Sequence, residues 1–164
     1  MRIVALTADT LPGAKALVNR VFRAQSPLER AFFWTYLHRE SWSAKVLMRL
    51  GRISELRDQW VALDDDGRVL GTTGLYRYRK DAHEAVWLSW FCVAPESRRA
   101  GVGGQMLDFT IERARATGAT FLRLYTSDVS NEAAAQRLYE SRGLNIYQTR
   151  NRFFYRLIKR EMRL

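Results

Sequence analysis

The chain has 164 residues, 47% of them hydrophobic, which suits one soluble domain with its own core. Its formal net charge of +10 favours a phosphorylated cofactor, RNA or an acidic protein surface, but the arginines are scattered, which argues against extended nucleic-acid contact without excluding it. A single cysteine excludes an intrachain disulfide, His38, His83 and Cys92 lack metal-ligand spacing, no apolar stretch reaches the length of a membrane span, and the N-terminus turns polar too soon for a signal peptide. A cytoplasmic protein without metal or membrane is the expectation.

Arg2 to Leu6 reads as a short strand. Thr10 and Pro12 then open a helix whose buried face is Ala14, Leu17, Val18, Val21 and Phe22. Beyond Pro27, a second helix from Leu28 to about Glu40 carries Phe32, Phe33, Trp34 and Tyr36, and a third piece spans Ser43 to Leu50. Gln59 to Leu63 and Arg68 to Tyr76 form a hairpin across Asp64-Asp-Asp-Gly67, where the carboxylates serve the turn rather than calcium. A strand follows from Ala85 to Val93, then a glycine-rich turn and a helix from Gln105 to Arg115 that Gly118 stops. Phe121 to Thr126 is the next strand, and Asn131 to Arg142 a helix capped by Ser130 or Asn131. Strands at Leu144 to Thr149 and Phe153 to Ile158 complete the chain, with the basic end Lys159 to Leu164 extending the last strand or fraying. Residues 1–164 read as one domain without repeat or linker.

The turn Ala94-Pro-Glu-Ser-Arg-Arg-Ala-Gly-Val-Gly-Gly104 holds the chemistry. Glycines permit close approach to a ligand and positive φ, and the free amides at the start of the following helix point outward at the positive end of its dipole. Arg98 and Arg99 add charge, so the turn reads as an anion pocket suited to a pyrophosphate. No Lys-Ser or Lys-Thr follows, which rules out a nucleoside-triphosphate loop; Met106 and the acid-free strand after it rule out a dinucleotide fingerprint.

Arg98-Arg-Ala-Gly101-Val-Gly103 instead resembles the acetyl-coenzyme-A signature of the GNAT superfamily of N-acetyltransferases. Asn131-x-x-Ala134 with Leu138-Tyr139-Glu-x-x-Gly143 resembles the family's second motif, with Leu144 in place of the usual aromatic. The element order β-α-α-β-β-β-α-β-α-β-β matches over essentially the whole chain. The resemblance implies an α/β (α+β) fold: a mixed, mostly antiparallel sheet, flanked by helices, with a splayed parallel pair at its centre. It implies acetyl-CoA as cosubstrate, its pyrophosphate held by Arg98, Arg99 and the amides of Ala100, Gly101, Val102, Gly103 and Gly104. The pantetheine would lie along Phe91, Cys92 and Val93 and near Asn131 and Ala134, with an amide near Phe91 or Cys92 polarising the thioester carbonyl. Tyr139 would protonate the leaving thiolate, and an amine would attack directly.

The general base is where the chain departs from the family. Many members carry a carboxylate about where Leu88 stands, and this strand has none. Glu84, four residues earlier and about 13 Å away along a strand, would act through water; Asp128 is a second candidate, with capping of the next helix its commoner role; Ser89 would only position a water. An amine arriving neutral would need none of them. Cys92 reads as a small buried hydrophobe rather than a nucleophile. Phe32, Phe33, Trp34, Tyr36, Trp42, Trp87 and Trp90 are partly core and partly candidates for an apolar acceptor pocket. The expected activity is acetyl transfer to a primary amine of a small molecule, peptide or protein, by a monomer or homodimer. The alternatives are a CoA-binding sensor or interaction module without turnover, and acetylation of a tRNA- or ribosome-associated amine.

Overall fold

A computed structural model describes residues 1–22, 33–129 and 132–164. Its elements are β1 (Arg2–Ala5), α1 (Leu11–Val21), α2 (Trp42–Leu50), β2 (Ile53–Leu63), β3 (Val69–Tyr78), β4 (Ala85–Val93), α3 (Val102–Arg115), β5 (Phe121–Ser127), α4 (Ala133–Ser141), β6 (Asn145–Asn151) and β7 (Arg156–Arg163). The strands form one sheet in the order β1-β2-β3-β4-β5-β7-β6. Every described pairing is antiparallel except β4 with β5. The mixed sheet with a parallel pair inside it is the expected architecture. No helix among the described residues is long and apolar enough to cross a membrane.

A core lies on each face of the sheet. Ala14, Leu17 and Val18 of α1 join Phe33, Tyr36, Val61, Tyr76, Trp87 and Cys92 on one. Leu107 and Ile111 of α3 and Tyr139 of α4 cover Trp60, Leu75, Val86, Leu88, Leu122 and Leu124 on the other. Each fully buried Leu or Ile contributes about 1.5–3 kcal/mol, so α3, polar on its outer side, is held mainly by its inner stripe.

Residue parity along β4 carries information that its apolar composition hides. Val86 and Leu88 face α3, whereas Cys92, of the same parity, faces α1. Side chains alternate along a strand, so one extra residue must lie between. The register supplies it: Thr72 pairs with Cys92 and Gly74 with Ser89, leaving Trp90 and Phe91 opposite Thr73 alone.

Several boundaries differ from the sequence reading. Helix α3 starts at Val102, three residues early, because Gly101 at φ 78° turns the chain directly into it. Strand β2 reaches back to Ile53 through register shifts that a strict alternation would not show. The helix expected to run to Glu40 is helical at 33–35 and breaks into turns from Tyr36; residues 23–32, including Phe32, lie outside the described residues. Strand β7 covers Arg156–Arg163 instead of Phe153 to Ile158, so the basic end is strand and the aromatic triplet Phe153–Tyr155 is the bend before it. Phe153 and Phe154 are 97% and 92% exposed, which is why their β propensity has no sheet face to satisfy. The Asp64–Gly67 hairpin is as expected: Asp64 Oδ1 accepts from Asp66 N and Arg68 N at 3.0 and 2.8 Å.

Candidate active site

β4 and β5 pair only at Ala85–Phe121, Val86–Leu122 and Trp87–Arg123. Past that register, β4 continues against β3 and β5 against β7, but their facing edges carry no ladder between them. A wedge of backbone therefore opens between residues 88–93 and 124–127, with amide and carbonyl groups that a peptide-like ligand can satisfy.

Its closed end is tied by Arg123. Nη1 donates to Asp81 Oδ2 at 3.0 Å and Glu84 Oε1 at 2.7 Å, and Nε to Glu161 Oε2 at 2.9 Å. Burial opposes the guanidinium charge, yet the three carboxylates outweigh it and hold its pKa above the ordinary value. Asp81 also accepts from Trp87 Nε1 at 3.1 and 3.2 Å. Glu84, expected as a base acting through water, has its carboxylate paired with Arg123 at the closed end, about 20 Å of strand from Phe91.

At the open end, β4 passes through a 3-10 turn, Pro95–Ser97, to α3. Arg99 and Gly101 both have positive φ, 63° and 78°. The first bond inside the helix runs from Gln105 N to Gly101 O at 3.1 Å, so the amides of Val102, Gly103 and Gly104 precede it and point out of the helix start. Arg98 Nε reaches Val93 O at 3.4 Å, and Ala100 and Arg99 lie exposed on the turn. Glu96, the nearest acid, is occupied by Arg20 at 2.9 and 3.0 Å, and that hydrogen bond keeps its pKa lowered. The Cα of Gly103 faces inward, where an added Cβ would sit 3.4 Å from Leu138 and 3.5 Å from Val93. Both are ordinary van der Waals distances, so this face of α3 already packs against β4 and α4. The arrangement is cationic, with outward amides: it suits an oxyanion of phosphate type.

Tyr139 lies on the inner side of α4, 5% exposed, its ring 5.8 Å from that of Phe91. Its hydroxyl has no hydrogen bond among the described residues. Burial, then the charge of Glu132 and Cys92, push its pKa up against the opposing pull of Arg160, so it remains a proton donor at neutral pH. Cys92 is buried and its thiol is pushed up to about 12, chiefly by burial, which keeps it protonated. Ala134 is exposed on the first turn of α4. Ser130 and Asn131 lie outside the described residues.

The carboxylate that Asp128 was expected to lend to α4 goes elsewhere: Oδ1 accepts Arg156 N at 2.8 Å and pins the start of β7 to the end of β5. Glu132 performs the local tie instead, accepting from Ser127 N at 2.7 Å and from the hydroxyls of Thr126 and Ser127. Among the expected acceptor aromatics, Phe33, Tyr36 and Trp87 are core, Trp34 stacks on His38 at 4.2 Å, and Trp42 is 80% exposed. Trp90 remains half-buried beside the wedge, edge-on to Phe22 and Phe33 at 6.0 and 5.9 Å.

Sequence reasoning missed the backbone of Trp90 itself. It sits at φ 48° in the β4 bulge, a conformation costing an L-residue about 1–2 kcal/mol. It also missed Arg123 and Asp81. Gly71 and Gly74 inside β3 were the available signal, since glycine within a strand marks a bulge or a close approach.

Comparison with known proteins places this geometry. A family model described as acetyltransferase (GNAT) family matches residues 21–144. A GCN5-related N-acetyltransferase 6, chloroplastic, of Arabidopsis thaliana is 35% identical over 63 residues, covering 38% of this chain and only 21% of that protein. The solved ribosomal-protein-alanine N-acetyltransferase of Brucella melitensis superposes with a TM-score of 0.70 over 100% of both chains at 20% identity. An N-acetyltransferase of Staphylococcus aureus Mu50 gives 0.70 over 99% of this chain and 97% of its own at 16% identity. Those two likenesses speak for the fold alone. With the family model spanning most of its length, and the parallel wedge and glycine turn in its sheet, the chain belongs to the GNAT acetyltransferase family.

Proposed function

We propose that the protein transfers an acetyl group from acetyl-CoA to a primary amine of a small molecule or a polypeptide. The observation that carries this reading is the coincidence, on one wedge, of a cationic glycine turn at its mouth and a protonated Tyr139 beside Phe91. Acetyl-CoA contributes an activated acyl group and a thiolate leaving group. The amides from Ala100 to Gly104, with Arg98 and Arg99, receive the pyrophosphate. The open edge of β4 at Phe91, Cys92 and Val93 offers backbone partners to the pantetheine amides; Asn131 and Ala134 are assigned to the same ligand by the family's second motif alone. An amide at the bulge, near Phe91 or Cys92, polarises the carbonyl. Tyr139 donates to the departing sulfur, whose conjugate thiol has a pKa of about 8.5 and leaves more readily with a proton donor. Cys92, protonated and packed in the core, takes no part.

Calorimetric titration with acetyl-CoA and CoA tests the reading, using the native chain and a Gly101→Val variant. A β-branched residue at φ 78° is strained, so the variant must deform the turn. Tight native binding that the variant loses supports the cofactor site and justifies screening amines by thiol release. Absence of native binding would sink it. A CoA-binding module without turnover is the second reading, favoured by the lack of any carboxylate in β4; tight binding with no thiol release across the amine panel would select it.

A further inference from the structure

Gln59 is 4% exposed in a strand whose other inward residues are apolar. It pairs with Gly74 of β3, which in turn pairs with Ser89 of β4, so the three stand in a row across the sheet. Gly74 has no side chain to obstruct the row, and a Cβ there would run into Gln59 Oε1. The amide of Gln59 can therefore lie over β3 and reach both of its neighbours. Oε1 accepts from Ser89 Oγ at 3.4 Å, and Nε2 donates to the hydroxyl of the fully buried Thr72. Because Oε1 can only accept, the Ser89 proton is committed to Gln59, and Tyr36 donates to Ser89 Oγ across their 2.7 Å contact.

Thr72 and Ser89 are the two residues that bracket the bulge: Ser89 immediately precedes Trp90, and Thr72 opposes Cys92 just beyond Phe91. One side-chain amide thus staples both flanks of the strained segment. A left-handed Trp90 persists only if its surroundings over-determine it, and the aromatic contacts to Phe22 and Phe33 fix its ring, not its backbone. We propose that Gln59, through Ser89 and Thr72, is a positioning residue that locks the β4 bulge and so aims the backbone amide that polarises the thioester carbonyl. The inference rests on the acetyl-CoA reading above. Tyr36 closes the chain from the other side and holds Ser89 in the rotamer that Gln59 needs.

The test uses acetyl-CoA carrying a ¹³C-labelled carbonyl and reads its stretching frequency, bound to the full chain, by isotope-edited infrared difference spectroscopy. In the native protein the band falls below its position in solution. Gln59→Leu and Ser89→Ala each return it towards the solution value while calorimetric affinity for acetyl-CoA holds, and Ser89→Thr keeps the native band. Ser89→Ala removes only a half-buried hydroxyl, so it remains informative if Gln59→Leu folds poorly. An unshifted native band, or a native band retained in both Gln59→Leu and Ser89→Ala, overturns the proposal and leaves acetyl-CoA binding standing. Failure of the native chain to bind acetyl-CoA overturns the function and this inference together.

Discussion

A buried phenol with no acceptor among the described residues costs a folded protein about 1–3 kcal/mol, and Tyr139 is in that position. Tyr139→Phe should therefore leave the urea midpoint unchanged or raise it. Turnover measured by thiol release should meanwhile fall by about 10²-fold, with acetyl-CoA affinity held. Equal turnover in the variant would remove the phenol from the mechanism. Cys92 gives a pH prediction. The unfolded thiol releases its proton from about pH 8.5, whereas the folded one holds it until about 12. Between those values the native state binds more protons than the unfolded one, so stability declines as pH rises. Cys92→Ala should flatten that decline in denaturant titrations, and below pH 8 the native thiol should resist a disulfide exchange reagent until the protein unfolds. Tyr139 was singled out by the likeness of Leu138-Tyr139-Glu-x-x-Gly143 to the family's second motif. Gln59 was not, because a polar residue at the head of Trp60-Val-Ala-Leu63 looks like the start of a strand when the pairing to Gly74 is unseen.

Helix α4 owes its seat to one residue of β7. Arg160 is 2% exposed and donates to Gln136 Oε1 at 2.7 Å, Leu144 O at 2.9 Å and Glu140 Oε1 at 2.6 Å. Replacing it by Met would strand the Leu144 carbonyl and Gln136, while Glu140, half in solvent, would rehydrate. A loss of about 2–3 kcal/mol is expected from urea unfolding, below the cost of breaking a fully buried ion pair. No change would mean that the apolar stripe of α4 suffices. Helices were legible where one face is apolar, as in α1 and α3, and the hairpin of β2 and β3 was legible from its Asp-Gly turn. The last two strands were displaced in the reading because Arg160 is an inward charge, which period-2 alternation scores as a surface residue. The fully exposed β6 has no buried face at all to read.

Ligand binding should stabilise the whole fold. At 100 times its dissociation constant, acetyl-CoA adds about 2.7 kcal/mol, which corresponds to about 5–10 °C in Tm for a chain of this size. Scanning calorimetry with and without the ligand checks this, and an unmoved transition at saturation would contradict binding to the native state. The order of elements along the chain was readable locally, but their order across the sheet was not. Placing β7 between β5 and β6 depends on pairs such as Leu122 with Met162, forty residues apart, which leave no local trace. The resemblance to a family supplied the central parallel pair but not this order.

The three residue pairs between β4 and β5 have a mechanical meaning too. As far as backbone ladders go, the sheet is two leaves, β1 to β4 and β5 with β7 and β6, bound at Ala85–Trp87 and riveted by Arg123. A crack through the molecule has its shortest path there, since every other adjacent pair of strands is joined along more of its length. Zipping the two leaves further would toughen the protein and close the slot it is proposed to use, so its resistance to tearing and its capacity to take a ligand are set against each other at one seam.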